Sequence, residues 1–445
     1  MTTKTKITIV GGGSNAWTPN IVKDMLLTEG ISDSEFVLFD INKKVADTNK
    51  VFLDKLAAKL KIKANVVSTD NRAEALKGAD YIIITISTGG LDAMAYDLSI
   101  PEDYKIYHTV GDTTGPGGWA RLIRNFDPFV VLANDINRYA PGAMVLNYTN
   151  PMATLTDVLA RICKGPVVGL CHGLFENLRF IKEYYKLKDE SQIAAKYAGL
   201  NHFFWITEVK AANIDVIADL NKKLKKQSLT DILKDLYKDP MGFHSNREVA
   251  TELFRMTGVL PYIGDRHVCE CFSCYITKKK TMKEYKIKRT SIEDRRKAFT
   301  KRGENLKKMI KGDIQEEYLK RSRETAADII EAHSQGKEFI DVGNLPNTGQ
   351  ISNLPEGVVV ETAMRVDANG FSPINFGALP DSIEAMCAPW AKVFMMQVDA
   401  CFKKDKSLAI QALRADPLCS HLTGKEVEEL GQRLLDAHKK FITVF

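Results

Sequence analysis

The stretch KITIVGGGSNAWTPN, residues 6–20, decides how the first half of the chain folds. Residues 6–10 are a short run of β-branched and apolar side chains, three glycines follow, and Ile21, Met25 and Leu26 then share one face of a helical pattern. The spacing predicts strand, glycine turn and helix. Downstream the alternation repeats. Strand EFVLFD (35–40) ends in Asp40, and a helix over 43–61 follows with Val45, Val51, Leu53, Leu56 and Leu60 supplying its apolar side. Strand 66–69, helix 71–79, strand 80–87, helix 119–139, strand 143–151, helix 152–163 and strand 166–171 complete the series. Near-continuous apolar strands separated by helices predict a parallel sheet covered on both faces.

The expected class is therefore α/β, a Rossmann-like doubly wound parallel sheet over residues 1–195. Beyond about residue 200 the strand signal thins. Helical segments are expected at 215–236, 246–257, 292–310, 315–335, 380–413 and 424–442, with β-like pieces at 202–209 and 356–366. Residues 196–445 are read as a mainly helical α+β domain over the carboxyl ends of the first sheet, serving substrate, metal and self-association.

A dinucleotide fingerprint needs glycines opening a helix after the first strand and an acid closing the second. Gly11, Gly12 and Gly13 occupy the turn with Ser14 and Asn15, Ala16 stands where a third glycine is expected, and Asp40 is the acid. Backbone N–H groups can then approach a pyrophosphate at the helix N-terminus, and Asp40 can accept from ribose hydroxyls, favouring NAD over NADP. The competing reading is a glycine turn that binds nothing.

Length and composition bound the rest. The chain has 445 residues, 44% hydrophobic and 27% charged, as expected of two or three ordinary globular units. A net charge of +6 from 62 basic and 56 acidic residues does not imply nucleic-acid binding. The basic run at 277–289 reads as a solvated face. No run approaches the roughly 18 apolar residues of a membrane helix, and the N-terminus enters a strand without a signal-peptide pattern, so no membrane partner and a cytoplasmic location are expected. There the eight cysteines, at 163, 171, 269, 271, 274, 387, 401 and 419, stay reduced and available as ligands.

Several segments look chemical. Cys171, in VVGLCHGLFENL (167–178), ends a parallel strand, where open α/β sheets bind ligands. Asn201 and His202, in GLNHFFWITEV, precede an aromatic strand. Thiolate and imidazole together suit Mn, Co, Ni, Fe or Zn and leave positions open for substrate oxygens. Separately, a buried cysteine can be a small hydrophobe and a histidine before a strand can cap it. His267, Cys269, Cys271 and Cys274 in DRHVCECFSC are a competing zinc cluster that lacks a second knuckle. HTVGDTTGPGGWAR (108–121) is a glycine-rich loop flanked by Asp112 and Arg121. NYTNPM (147–152) offers Asn147 and Asn150 for turns, for sugar hydroxyls or for a nicotinamide carboxamide.

In order along the chain, IVGGGSNAWTP, GDTTGPGG, NYTNPM, GLCHG, GLNHFFW, GDRH and NLPNTGQISNLPEGVVVE resemble the motifs of glycoside hydrolase family 4, the NAD- and metal-dependent glycosidases. The resemblance implies oxidation at sugar C3 by bound NAD+, removal of the C2 proton, loss of the glycosidic oxygen from C1, addition of water and return of the hydride. It implies Cys171 and His202 as ligands of Mn2+ and Asp112 as an orienting group. Asp265 would be the C2 base, with Tyr262 as fallback. Asn150 would bind sugar hydroxyls, and Asn147 would join the cofactor set.

In this family His after the ligand cysteine, here His172, goes with unphosphorylated α-glycosides. STGG at 87–90 lacks the arginine that phospho-β-glucosidases place there. The motifs are most similar to those of α-uronidases acting on α-glucuronides or α-galacturonides, with Arg266 or His267 pairing with the C6 carboxylate. Alternatives are a neutral α-glucosidase or α-galactosidase and a plain NAD-dependent sugar dehydrogenase. Cys269, Cys271 and Cys274 depart from the family pattern. A glycoside or oligosaccharide substrate and a homodimer or homotetramer are implied.

Overall fold

A computed structural model describes residues 4–234 and 246–445. The opening stretch folds as β1 (Lys6–Val10), a glycine turn and α1 (Thr18–Leu26). There follow β2 (Glu35–Phe39), α2 (Lys43–Leu60), β3 (Asn65–Thr69), α3 (Arg72–Leu76) and β4 (Tyr81–Ile84). Next are α4 (Gly90–Asp103), α5 (Gly115–Tyr139), β5 (Met144–Asn147), α6 (Met152–Ile162), β6 (Val167–Gly169) and α7 (Gly173–Tyr184). These six strands are all parallel, in the order β3-β2-β1-β4-β5-β6, the doubly wound arrangement. Alternation along each strand feeds two cores. Val10, Ile82, Ile84 and Val145 pack against α5 and α6 on one face, and Ile7, Ile9, Ile83 and Leu146 against α1 and α2 on the other.

The second half continues the same sheet. β7 (Ile193–Leu200), β8 (Phe203–Ala211), β9 (Ile214–Asp215), β10 (Leu260–Pro261), β11 (Phe339–Pro346), β12 (Val359–Asp367) and β13 (Gly370–Pro373) are added antiparallel, with β11 against β6. Five of these strands, β7, β9, β10, β11 and β13, have no signal in the sequence, and two of them are eight residues long. β7 (IAAKYAGL) is rich in Ala and Gly, and β11 (FIDVGNLP) carries Asp341, Gly343, Asn344 and Pro346. Both have weak intrinsic strand preference and form because they are paired on two sides.

The expected helix over 215–236 is divided. Its pieces are Val216–Lys223 and Leu229–Leu233, the second started by the Ser228–Asp231 capping box, and residues 235 and 236 lie outside the described residues. The expected helix over 380–413 breaks at Lys404, which is left-handed at φ 53°, and restarts where Asp405 accepts from the Leu408 N–H. Within 315–335 only Ala326–Gln335 is α-helical. Among the described residues no helix is long and apolar enough to cross a membrane.

Candidate active site

At the end of β1 the backbone N–H groups of Gly11 and Gly12 both donate to the Phe39 carbonyl, at 2.9 and 2.8 Å, which folds the turn onto the end of β2. Gly11 takes φ +96°, and a Cβ at Gly12 would sit 2.7 Å from the Leu38 backbone, so neither position admits a side chain. The Gly13 N–H donates to Asp40 Oδ2 at 2.9 Å, so the acid of the fingerprint is tied to the glycine turn. Beside it runs a cleft of about 620 Å³ that includes Ser14, Asn15, Trp17, Thr85, Ser87, Thr149 and Arg121.

Asn147 does not reach this cleft. It is fully buried, its Nδ2 donates to the Thr149 carbonyl and Thr156 Oγ1, and its Oδ1 accepts from the Thr149 N–H. The expectation that it contacts the cofactor gives way to a turn-forming role, because its polar atoms are spent internally.

A second cleft, of about 840 Å³, opens from the first, and both are lined by Ala16, Trp17, Asp112, Asn150 and Arg295. Here Asp112, His202 and His267 each place a potential ligand atom within 4.8 Å of the others. His202 is the second residue of the two-residue turn between β7 and β8. It holds φ 60°, a strained conformation for a non-glycine side chain and one that clusters at functional positions. Its Nδ1 lies 3.0 Å from Thr113 Oγ1 and its Nε2 3.1 Å from Cys171 Sγ, so both nitrogens are oriented. The expected pairing of Cys171 and His202 across the sheet edge is thus a contact in the structure, and Asp112 and His267 join it.

Electrostatics favour ligation. Burial, reinforced by the neighbouring His267, holds His202 well below the usual imidazole range, and burial also lowers His267; both rings stay neutral with lone pairs to offer. Burial opposes ionisation of Asp112, but its basic neighbours, of which the Arg121 and Arg295 guanidiniums are permanently charged, overcome it and hold its carboxyl far below the carboxylate range. Burial, with Glu361 nearby, pushes the Cys171 thiol up, so a cation is required to draw off its proton. Beneath the turn, the buried Glu361 accepts from Asn201 Nδ2 at 2.8 Å and Asn344 Nδ2 at 3.2 Å. Burial pushes the Glu361 carboxyl up to about 7.

Asp265 is not at this cleft. It is fully buried and accepts N–H bonds from Val249 (2.9 Å) and Ala250 (3.0 Å), in the first turn of the helix Glu248–Thr257. Residues two apart on a helix point to opposite sides. In the short helix Asp265–Val268, His267 facing the metal-ligand group leaves Asp265 facing away. Tyr262 is also buried, with its ring 6.1 Å from that of His202 and 5.3 Å from that of Phe204. Burial and Glu176 hold its phenol well above its usual range.

Asn150 spans both clefts. It donates to Asp112 Oδ2 at 3.3 Å, while its buried Oδ1 has no partner. Half-exposed His172 lines the larger cleft beside Trp17, 3.7 Å from Glu324. Arg266 lines it too. The zinc cluster drawn from His267, Cys269, Cys271 and Cys274 does not assemble among the described residues, since Cys269 and Cys271 are buried and Cys274 is exposed.

Sequence reasoning missed Lys23, Arg295, Arg302, Lys320 and Arg321, which with Arg266 give the larger cleft six Lys or Arg against three acids, Asp112, Glu317 and Glu324. Their only local signal is a scatter of basic residues over four separate segments.

The sequence signature described as family 4 glycosyl hydrolase matches residues 6–186, and that of the family's C-terminal domain matches residues 197–419. An α-galacturonidase of Thermoanaerobacter italicus is 32% identical, over 98% of this chain and 97% of that protein. An α-galactosidase of Bacillus subtilis is 30% identical, over 97% of this chain and 98% of that protein. The crystal structure of lplD from Bacillus subtilis superposes with a TM-score of 0.88 at 29% identity, over 97% of this chain and 100% of that one.

Proposed function

The chain belongs to the family 4 glycosyl hydrolases, and from that premise we propose that it hydrolyses α-galacturonides in the joined clefts, using NAD+ and a divalent metal ion, Mn2+. The observation that carries the substrate class is the cationic lining. Six Lys or Arg side chains line the cleft against three acids, Lys23 and Arg321 being paired with Asp24 and Asp328 outside the lining, and Arg266, Arg295, Arg302 and Lys320 around the Asp112–His202–His267 group suit a sugar that brings its own carboxylate. The α-galacturonidase relative supports the same reading.

Both cofactors fit the residues present. The glycine turn is a cradle pressed so close on β2 that a Cβ at Gly12 would strike the Leu38 backbone, which leaves its N–H groups at the opening of α1 without side-chain cover, and one carboxylate, two neutral imidazoles and a thiol are a donor set for a borderline divalent ion. When bound, NAD+ and the metal supply a reversible hydride acceptor for sugar C3 and a Lewis acid for the oxygens at C2 and C3.

Gly11, Gly12, Gly13, Ser14 and Asn15, with Asp40, hold the dinucleotide. Asn150, lining both clefts with an unpaired Oδ1, orients the sugar between cofactor and metal. Asp112, Cys171, His202 and His267 hold the metal. Arg266, with the basic side chains around it, takes the C6 carboxylate, and His172 borders the same cleft. For the C2 proton we assign Tyr262 Oη rather than Asp265. Tyr262 packs beside His202, whereas the Asp265 carboxylate is committed to a helix N-terminus.

The proposed division at 195/196 falls in the gap between the two family signatures. Eight unpaired cysteines support a reducing cytoplasm, and membership of the family supports a homodimer or homotetramer.

The test is a panel of p-nitrophenyl α-galacturonide, α-glucuronide, α-galactoside, α-glucoside and 6-phosphoglucosides with NAD+, Mn2+ and a thiol reductant. The α-galacturonide is expected to turn over fastest with no net NADH. Turnover of the neutral α-galactoside alone supports the second reading, favoured by the 30% identical α-galactosidase. Turnover of phosphosugars alone rejects both.

A further inference from the structure

Glu270 lies outside both clefts, with a side chain 1% exposed, yet its carboxylate collects an unusual number of bonds. Three successive backbone N–H groups converge on it: Thr109 at 2.6 Å, Val110 at 2.8 Å and Gly111 at 3.0 Å to Oε1 and 3.2 Å to Oε2. This is an anion-binding concavity of the backbone, here filled by a side chain of the same protein. A fourth bond comes from His108, 3.1 Å away at Nδ1. His108 Nε2 accepts from the Gly117 N–H at 3.2 Å, so its proton is on Nδ1 and is donated to Glu270. Burial alone would push the carboxyl up; His108 and the N–H groups outweigh it and hold Glu270 below its usual range, as a carboxylate.

The two segments joined here are the ones that carry the metal-ligand group. The loop 108–114 presents Asp112 to that group and Thr113 to His202 Nδ1. The turn 265–271 presents His267 and Arg266, and Glu270 lies three residues after His267. Further ties run the same way. Thr114 Oγ1 donates to the Glu270 carbonyl at 3.0 Å, and Thr109 Oγ1 donates to the Arg266 carbonyl. Gly111 takes φ +70°, and a Cβ there would strike Leu98 at 2.6 Å, so the loop closes on Glu270 only with glycine at this position.

We propose that Glu270 is a positioning residue of the metal centre: its carboxylate locks the 108–114 loop to the 265–271 turn so that Asp112 and His267 meet His202. The inference rests on the reading that a divalent metal occupies this group. Outer groups of this kind commonly tune metal affinity by about 10–100-fold.

The test is Mn2+ titration of the full-length protein, following the electron paramagnetic resonance of free Mn2+, with NAD+ affinity and Tm measured in parallel. Glu270→Gln keeps the shape but removes the negative charge, leaving a neutral amide oxygen for the donors that converge on Oε1 and an N–H2 facing the Gly111 N–H in place of Oε2. It is expected to weaken Mn2+ by about 10-fold or more while NAD+ affinity stays within about 2-fold, a separation that general loosening would not give. Should Glu270→Gln not fold, Thr114→Val carries the test. It deletes a loop-to-turn bond without touching the carboxylate and is expected to weaken Mn2+ several-fold. Parental Mn2+ affinity in the folded variant overturns the proposal. A parent protein that takes up no Mn2+ rejects the metal reading itself, and the clamp with it.

Discussion

Asp265 and Tyr262 stand three positions apart, yet one is turned to the N-terminus of a helix and the other packs beside the proposed metal-ligand histidine. Asp265→Asn leaves one acceptor facing two N–H donors, so it is expected to cost about 1–3 kcal/mol of stability in urea unfolding and to lower kcat by less than about 10-fold. Tyr262→Phe should lower kcat by about 100-fold or more at parental NAD+ affinity. A stable Asp265→Asn protein with no turnover would return the proton transfer to Asp265. Residue identities at the site were legible because Gly11–Gly13, Cys171 and His202 each sit in a short motif at a strand end. Directions were not. The GDRH motif contains both Asp265 and His267, and only the approach of helix Glu248–Thr257 decides which of them faces the cleft. The buried Glu361 reaches Asn201, and Glu270 reaches Thr109, each about 160 residues away, a distance no local pattern carries.

At the scale of elements, the β1–α1 turn is pressed against β2 with no slack. In Gly12→Ala the new Cβ meets backbone rather than a flexible side chain, so the strand itself must move. The expected cost is about 1–3 kcal/mol in denaturant unfolding, with NAD+ affinity lost in parallel and Mn2+ affinity kept; parental NAD+ binding would refute the cradle. Another element-level test lies at the turn Pro417–Cys419. Asp416 caps it through the Leu418 N–H, while its Oδ2 is buried without a partner. Burial pushes this carboxyl up to about 7, above the roughly 3.9 of an unfolded chain. Its contribution to stability is therefore full below about pH 4 and is lost as pH rises through about 7. Asp416→Asn removes that dependence, so the Tm difference, variant minus parent, should climb between about pH 4 and about pH 7 and level off above that. A flat difference would mean that the group ionises normally. The strongly patterned strands of the first half were legible from their apolar runs. β7 and β11 were not, because pairing on both sides rather than residue preference makes them strands.

Across the whole molecule, β11 joins β6, so a single sheet runs from the nucleotide turn to the His202 turn. The metal-ligand group draws on both halves: Asp112 and Cys171 come from the first, His202 and His267 from the second. An ion held there contacts both sides, so unfolding either half breaks its ligand set, and the ion opposes the unfolding of both. Mn2+ should therefore move the entire unfolding transition. At about 100 times its Kd a ligand of the folded state adds about 2.7 kcal/mol. With an unfolding entropy of about 2.1 cal/mol/K per residue, that corresponds to a rise of about 3 °C in Tm for a chain of 445 residues. Calorimetry with Mn2+ and then with excess chelator should show one peak that moves up and returns. A scan that separates into two peaks, with only one responding to Mn2+, would place the ion within one half and contradict an assembly that spans the sheet.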